Sequence, residues 1–263
     1  MKKIIISFVI IIIAFFLAFL LFKYNKRNNG NNTTITKTTV KNNNKVDNKQ
    51  NKEDIMDGIT LNFHASIRME KNNNIIYFDP YKIEDSKNDA NYIFITHSHY
   101  DHYDEDSIKK VMNENTKFIV TNDLEDKIIS LGVNESNIKI VYPSESFDID
   151  DLKINTVPAY NVNSTYHKKS YNWVGYVVEI KGIKYYIVGD SDVTDEMKKV
   201  SCDVMFVPVG GTYTMNYDDA VKIVNEIKPK YAVPIHYGIV GSKEDAKNFI
   251  KGLDTSIKGI ILN

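Results

Sequence analysis

Tyr92-Ile93-Phe94-Ile95-Thr96 runs directly into His97-Ser98-His99-Tyr100-Asp101-His102, so half of the chain's six histidines fall within six residues. A short run of β-formers ending in a polar loop places these imidazoles at a strand's C-terminal end, outside the core. His97 and His99, two apart in extended backbone, point to one side and can grip one cation. Asp101 and His102, at the start of the following turn, can reach a second. Imidazoles with a carboxylate suit zinc, manganese or iron, and leave positions open for water.

Working outward, two other residues have the same placement. Asp190 follows the apolar run Lys184-Tyr185-Tyr186-Ile187-Val188 in Gly189-Asp190-Ser191-Asp192, where a carboxylate can bridge two cations. His236 follows Tyr231-Ala232-Val233-Pro234-Ile235 and precedes Tyr237-Gly238. A lone strand-end His or Asp is ordinarily a turn or capping residue. Three such sites that agree predict a dinuclear metal centre.

The rest of the body, residues 59–263, reads as one domain of short strands interrupted by helices. Strands are predicted at 59–70, 75–78, 92–96, 117–120, 138–141, 152–157, 174–180, 183–188, 204–209, 231–235 and 256–261. Helices are predicted at 105–113, 124–131, 217–227 and 243–251, with Asn216 and Ser242 as caps and Pro229 ending the third. Hairpins around 72–74 and 181–182, followed by strands alternating with helices, predict mixed sheets covered by helices.

These motifs together resemble the metallo-β-lactamase fold hydrolases. The H-x-H-x-D-H motif at 97–102, an upstream strand-end aspartate in Phe78-Asp79-Pro80-Tyr81, the Gly189-Asp190 turn and the final His236 stand in that family's order. The resemblance spans the whole body. More narrowly it is similar to the single-domain branch that includes ascorbate-6-phosphate lactonase-like proteins and, more distantly, the phospholipase D that cleaves N-acyl phosphatidylethanolamines. It implies an α/β fold, a four-layer αββα sandwich with the metal site at one edge of its two sheets. It also implies a metal-dependent hydrolase cleaving an ester, lactone or phosphodiester. By motif, His97, His99, Asp101, His102, Asp190 and His236 carry over as ligands of two divalent metal ions, zinc first, with manganese or iron as alternatives. Asp79 carries over as the residue that holds the histidine loop, not as a ligand.

One position departs from the family pattern. Its usual third histidine for the first metal follows a strand near a Pro-Ala pair, whereas Thr156-Val157-Pro158-Ala159-Tyr160 leads here to Asn161, with His167 six residues on. Either Asn161 fills the slot or the loop folds back so that His167 coordinates; His167 is preferred, because an amide replaces imidazole poorly. An exposed His167 meeting substrate is the alternative. His64, before Ala65-Ser66, is expected to hydrogen-bond a site carboxylate in preference to binding metal. In catalysis Asp101 would orient the attacking hydroxide or take its proton, and a protonated His167 would assist the leaving group. Gly210-Gly211-Thr212-Tyr213-Thr214 lacks a P-loop lysine and is read as a turn before it is read as a substrate loop.

Composition bounds the remaining possibilities. Ile4 to Phe22 holds only one polar side chain, Ser7, and at a helical rise spans about 28 Å, the thickness of a bilayer's hydrocarbon core. Residues 1–22 are therefore expected to form an uncleaved transmembrane helix, with the body on the extracytoplasmic side although the flanking charges nearly balance. Residues 23–58, rich in Asn, Lys and Thr, are expected to be a disordered linker. Of 33 Lys plus Arg and 34 Asp plus Glu, ten bases and four acids precede Ile59, which leaves the body 23 against 30, a net charge of about −7. An acidic body argues against nucleic acid as a partner. A tether to a membrane makes a lipid-like substrate attractive beside a small molecule. Cys202, the only cysteine, sits in an apolar run and reads as a buried inert thiol. The rival to a hydrolase is a membrane-tethered metal-binding module that turns nothing over, and Asn161 is the best argument for it.

Overall fold

The fold is described from a computed structural model over residues 55–262. The apolar run 4–22 and nearly all of the linker lie outside the described residues. Among the described residues no helix is long and apolar enough to cross a membrane. Ile55 to Gly58, placed in the linker by composition, form a turn in which the Ile55 carbonyl accepts from Tyr185 Oη at 3.1 Å. The packed body thus reaches back at least to Ile55.

Among the described residues thirteen strands build two sheets. The first has six in spatial order: β1 (Ile59–Phe63), β2 (Ser66–Lys71), β3 (Asn74–Phe78), β4 (Tyr92–Ile95), β5 (Lys117–Thr121) and β6 (Ile138–Val141). The second has seven: β7 (Ser146–Ile149), β8 (Leu152–Pro158), β9 (Val174–Ile180), β10 (Ile183–Ile187), β11 (Val204–Pro208), β12 (Tyr231–Ile235) and β13 (Lys258–Gly259), again adjacent in chain order. Each sheet begins with antiparallel hairpins and continues in parallel, from β3 to β6 in one and from β10 to β13 in the other.

Period-two alternation sorts the side chains into layers. Ile76 and Phe78 of β3 join Tyr185 and Ile187 of β10 in the core between the sheets. Tyr77, between the first two, faces outward with α1 (Glu105–Val111) and α2 (Glu125–Ser130), contributing Ile108 and Ile128. On the other side Tyr186 and Met205 lie under α3 (Tyr217–Ile227) and α4 (Lys243–Gly252), contributing Ile223 and Phe249. The order is helices, sheet, sheet, helices. Asn216 caps α3 through its side chain, Lys228 ends it with φ 56° ahead of Pro229, and Ser242 with Asp245 closes a capping box on α4.

Three expectations need correction. The single strand predicted over 59–70 is a hairpin, because His64 at φ 56° reverses the chain between β1 and β2. The strand predicted at 256–261 shrinks to Lys258–Gly259. Edge strand β7 was not foreseen: its four residues alternate exposed and half-buried, too short a pattern to stand out.

Strand direction positions the site. β1, β3 and β4 run one way in their sheet, β8, β10 and β12 run one way in theirs, and the loops after all six meet at one edge of the sandwich. That edge receives His64, Asp79, His97 to His102, Asn161, Asp190 and His236.

Candidate metal centre

Asp79 organises the histidine loop. At φ 45° it turns sharply after β3, is fully buried, and accepts from the Thr96 backbone amide and from Thr96 Oγ1, both at 2.8 Å. Its Oδ2 also lies 2.8 Å from His102 Nδ1. A carboxylate accepts only, so His102 carries its proton on Nδ1 and presents an Nε2 lone pair. Thr96 Oγ1, having given its proton to Asp79, must accept from His97 Nδ1 at 3.0 Å, which fixes that ring in the same tautomer. Asp79 acts through the loop, as expected of it.

The departure at Asn161 resolves in the same way. His167 is buried, and its Nδ1 lies 2.9 Å from Asn161 Oδ1, while Asn161 Nδ2 donates to the Tyr213 carbonyl at 2.9 Å and so points its oxygen at the ring. His167 Nδ1 is therefore the donor and Nε2 faces the site. The loop has folded back, Asn161 sits behind the imidazole, and the exposed alternative for His167 does not hold.

The free nitrogens converge on Asp190, which Gly189 at φ 71° delivers after β10. His236 Nε2 lies 3.1 Å and His167 Nε2 3.4 Å from Asp190 Oδ2; His102 Nε2 lies 3.2 Å from Oδ1 and His97 Nε2 3.9 Å from Oδ2. Yet the Nε2 atoms of His97, His102, His167 and His236 and Asp190 Oδ1 are all buried with no aligned hydrogen-bond partner. Buried polar atoms left without a hydrogen bond are rare in folded proteins. Donors that crowd together while missing one another are arranged for a cation, so the residues present fit a metal. Three overlapping donor groups emerge, each with ligand atoms within 4.8 Å of one another: His97, His99 and His167 in the first, His64, Asp101, His102 and His236 in the second, and His97, His102 and Asp190 in a third that shares one histidine with each. All seven residues expected at the metals come together here, joined by His64.

Electrostatics in the metal-free protein divides the donors, and a cation at His102 would have to displace a proton from Nε2. Burial first, then His102, hold His97 well below its ordinary range, which keeps it neutral. For His102 burial works the other way from the outcome: Asp190 and Asp79 outweigh it and raise the ring well above its ordinary value. Asp190, despite burial, is held well below the carboxylate range by His102 and His236.

One feature had no sequence signal, and a second, Gly210, was legible only as part of a turn. Trp173, the only tryptophan, walls the site with its ring 4.8 Å from those of both His97 and His99, and its Nε1 donates to Asp123 Oδ2 at 2.9 Å. Gly210 lets two loops touch, since a Cβ there would lie 2.3 Å from the His236 carbonyl oxygen. The glycine segment after β11 thus serves close packing. Above the donors opens a cavity of about 260 Å³, bounded by Tyr100, Tyr166, Tyr213 and Val240. Among the described residues no Lys or Arg lines it. Lys169 is held by Glu196 at 2.7 Å, and Lys168 Nζ lies 6.0 Å from the Tyr171 ring centroid.

Comparison with known proteins places this arrangement in context. Residues 58–236 match the family profile of the beta-lactamase superfamily domain. A UPF0173 metal-dependent hydrolase from Staphylococcus aureus is 32% identical over 197 residues, covering 67% of this chain and 85% of the relative. Among solved structures, one described as a metal-dependent hydrolase from Parabacteroides distasonis superposes with a TM-score of 0.64 at 29% identity, over 78% of this chain and 91% of the other. A metallo hydrolase from the archaeon Ignicoccus hospitalis shares the fold at TM-score 0.63 and 18% identity, over 78% and 94% of the two chains.

Proposed function

Because the chain belongs to the β-lactamase superfamily, we propose that it is a metal-dependent hydrolase whose centre holds two divalent cations and cleaves a neutral acyl ester or lactone. Asp190 carries the two-cation reading: one buried carboxylate faces His167 through Oδ2 and His102 through Oδ1, and so stands between both donor sets. Zinc suits a centre this rich in imidazole. Bound there, divalent cations lower the pKa of water towards neutrality and polarise the oxygen of the bond under attack.

The chain's own groups supply the rest. Asp101 lines the cavity, where its carboxylate can orient water or accept its proton. His167 serves as a ligand in this reading and not as the proton donor first expected, because its Nδ1 proton is committed to Asn161. The aromatic rim made by Tyr100, Tyr166 and Tyr213 favours an apolar acyl or ring group and limits water at the reacting bond. With no lysine or arginine among the described residues that line the cleft to meet a phosphate, an ester or lactone is favoured over a phosphodiester. We further propose that residues 4–22 hold the enzyme at a membrane with the body outside, near lipid-like or other apolar substrates.

The test is a panel assay on the full chain loaded with zinc, offering a naphthyl acyl ester, a γ-lactone and bis(p-nitrophenyl) phosphate. Turnover of ester or lactone that falls at least a hundredfold in Asp101→Ala supports the proposal. Cleavage of the phosphodiester alone would overturn the substrate class. No turnover at full metal loading would favour the non-catalytic module.

A further inference from the structure

We propose that His64 is a protein ligand of the second cation, beside Asp101, His102 and His236; the assignment rests on the two-cation reading above. The family motifs leave His64 without a metal role, and the sequence suggests only a hydrogen bond to a carboxylate. Its geometry asks for more. The side chain is fully enclosed, and neither Nδ1 nor Nε2 has a hydrogen-bond partner. Nε2 comes within 3.3 Å of Asp101 Oδ2 without the alignment of a hydrogen bond.

The spacing is that of ligands around one centre. Nitrogen and oxygen donors about 2.0–2.2 Å from a tetrahedral metal stand roughly 3.3–3.6 Å from one another. His64 Nε2 to Asp101 Oδ2 is 3.3 Å, His236 Nε2 to Asp101 Oδ2 is 3.8 Å, and all four donor atoms of the set lie within 4.8 Å of one another. A histidine held as a protonated partner of Asp101 would instead bring a positive charge against the cations.

The backbone shows how His64 is held in place. His64 and His236 both adopt left-handed conformations, φ 56° and 59°, which non-glycine residues enter rarely and which concentrate at functional sites. One hydrogen bond, from the His236 amide to the His64 carbonyl at 2.8 Å, clips the two turns together across the sandwich and brings their rings to 3.8 Å between centroids. A strained clip that delivers two buried imidazoles to one carboxylate is accounted for if both bind the same ion. With His64 the second cation gains an imidazole and has one position fewer for a substrate oxygen.

Metal binding to the full chain, in His64→Ala and His64→Gln beside the native protein, tests this directly. Zinc is titrated against a competing chromophoric chelator, and cobalt(II) absorption is read equivalent by equivalent. The expected result is two cations in the native chain and, in both variants, a second equivalent bound at least tenfold more weakly with an altered cobalt spectrum, the first equivalent being unchanged. Glutamine keeps a hydrogen-bond donor for Asp101 but is a poor ligand, so native-like affinity and spectrum in His64→Gln would assign His64 to hydrogen bonding and overturn the proposal. Two cations bound as in the native chain by His64→Ala would do the same. A native chain that takes up one cation would overturn the two-cation reading, and this assignment with it. Far-UV circular dichroism of the metal-free variants controls for folding; if His64→Ala misfolds, the Gln variant decides.

Discussion

Thr96 is a small residue with a large share in the chemistry: by giving its proton to Asp79 and accepting from His97, one hydroxyl sets a tautomer that a metal can use. Asp79→Ala strips the acceptor from the Thr96 amide, the Thr96 hydroxyl and His102 Nδ1 at once. Lost buried hydrogen bonds of this kind cost about 1–3 kcal/mol each, so urea unfolding of the metal-free protein should show a loss of ~3 kcal/mol or more. Asn161→Ala is a different case, since it frees the His167 ring without removing a ligand. Metal affinity in a chelator competition should fall about 10–100-fold, and because the buried bonds to His167 and Tyr213 are lost as well, the metal-free protein should also lose about 1–3 kcal/mol in urea unfolding. Cys202, expected to be buried, is only half-buried and lies outside the chemistry. Burial, with Asp203 adding to it, pushes its thiol up to about 12. An ordinary thiol, near 8.5, gains thiolate between pH 7 and 9, whereas Cys202 should stay protonated there. Iodoacetamide labelling followed by intact mass should therefore be slow and flat across that range, rising only in denaturant.

Between elements the close approach at Gly210 is the tightest joint near the site. A Cβ would lie 2.3 Å from the His236 carbonyl oxygen and 2.6 Å from that of Val240, so Gly210→Ala must push the loop after β12 away from the loop after β11. A loss of about 1–3 kcal/mol in thermal or urea unfolding is expected, with weaker metal binding through the displaced His236. Trp173, just before β9, offers an optical readout. Its ring lies against His97 and His99, so cobalt(II) should quench the protein's only tryptophan emission in step with occupancy of the first donor set. The elements also mark how far the sequence could be read. The strands that bear site residues announce themselves, since β3, β4, β10 and β12 are apolar runs followed within three residues by His or Asp. The β1–β2 reversal does not, because His64-Ala65 has no turn chemistry and depends on a conformation that only the clip to His236 sustains. Asn161 was visible as an anomaly; that it stands behind His167 depends on Tyr213, more than fifty residues further along. Trp173 and Asp123 meet across fifty residues, and no local pattern records such a pairing.

At the scale of the molecule the donors divide by sheet. His64, His97, His99, Asp101 and His102 follow strands of the first, and His167, Asp190 and His236 follow strands of the second. No sheet owns a complete centre. An unfolded chain assembles these sets only by closing long loops, 70 residues from His97 to His167 and 172 from His64 to His236, so the free energy of binding metal is shared with the free energy of folding. The stabilisation follows mass action, about 4.1 kcal/mol when free metal stands a thousandfold above its dissociation constant. The melting temperature should therefore climb with added zinc and drop with a chelator, and the Asn161→Ala protein should need more zinc for the same rise. A chain whose two halves are riveted by an ion has its lifetime set by the ion's supply. Under metal scarcity the sandwich would gape first at its active edge, exposing apolar strand ends to proteases, so starvation would remove the protein as well as silence it.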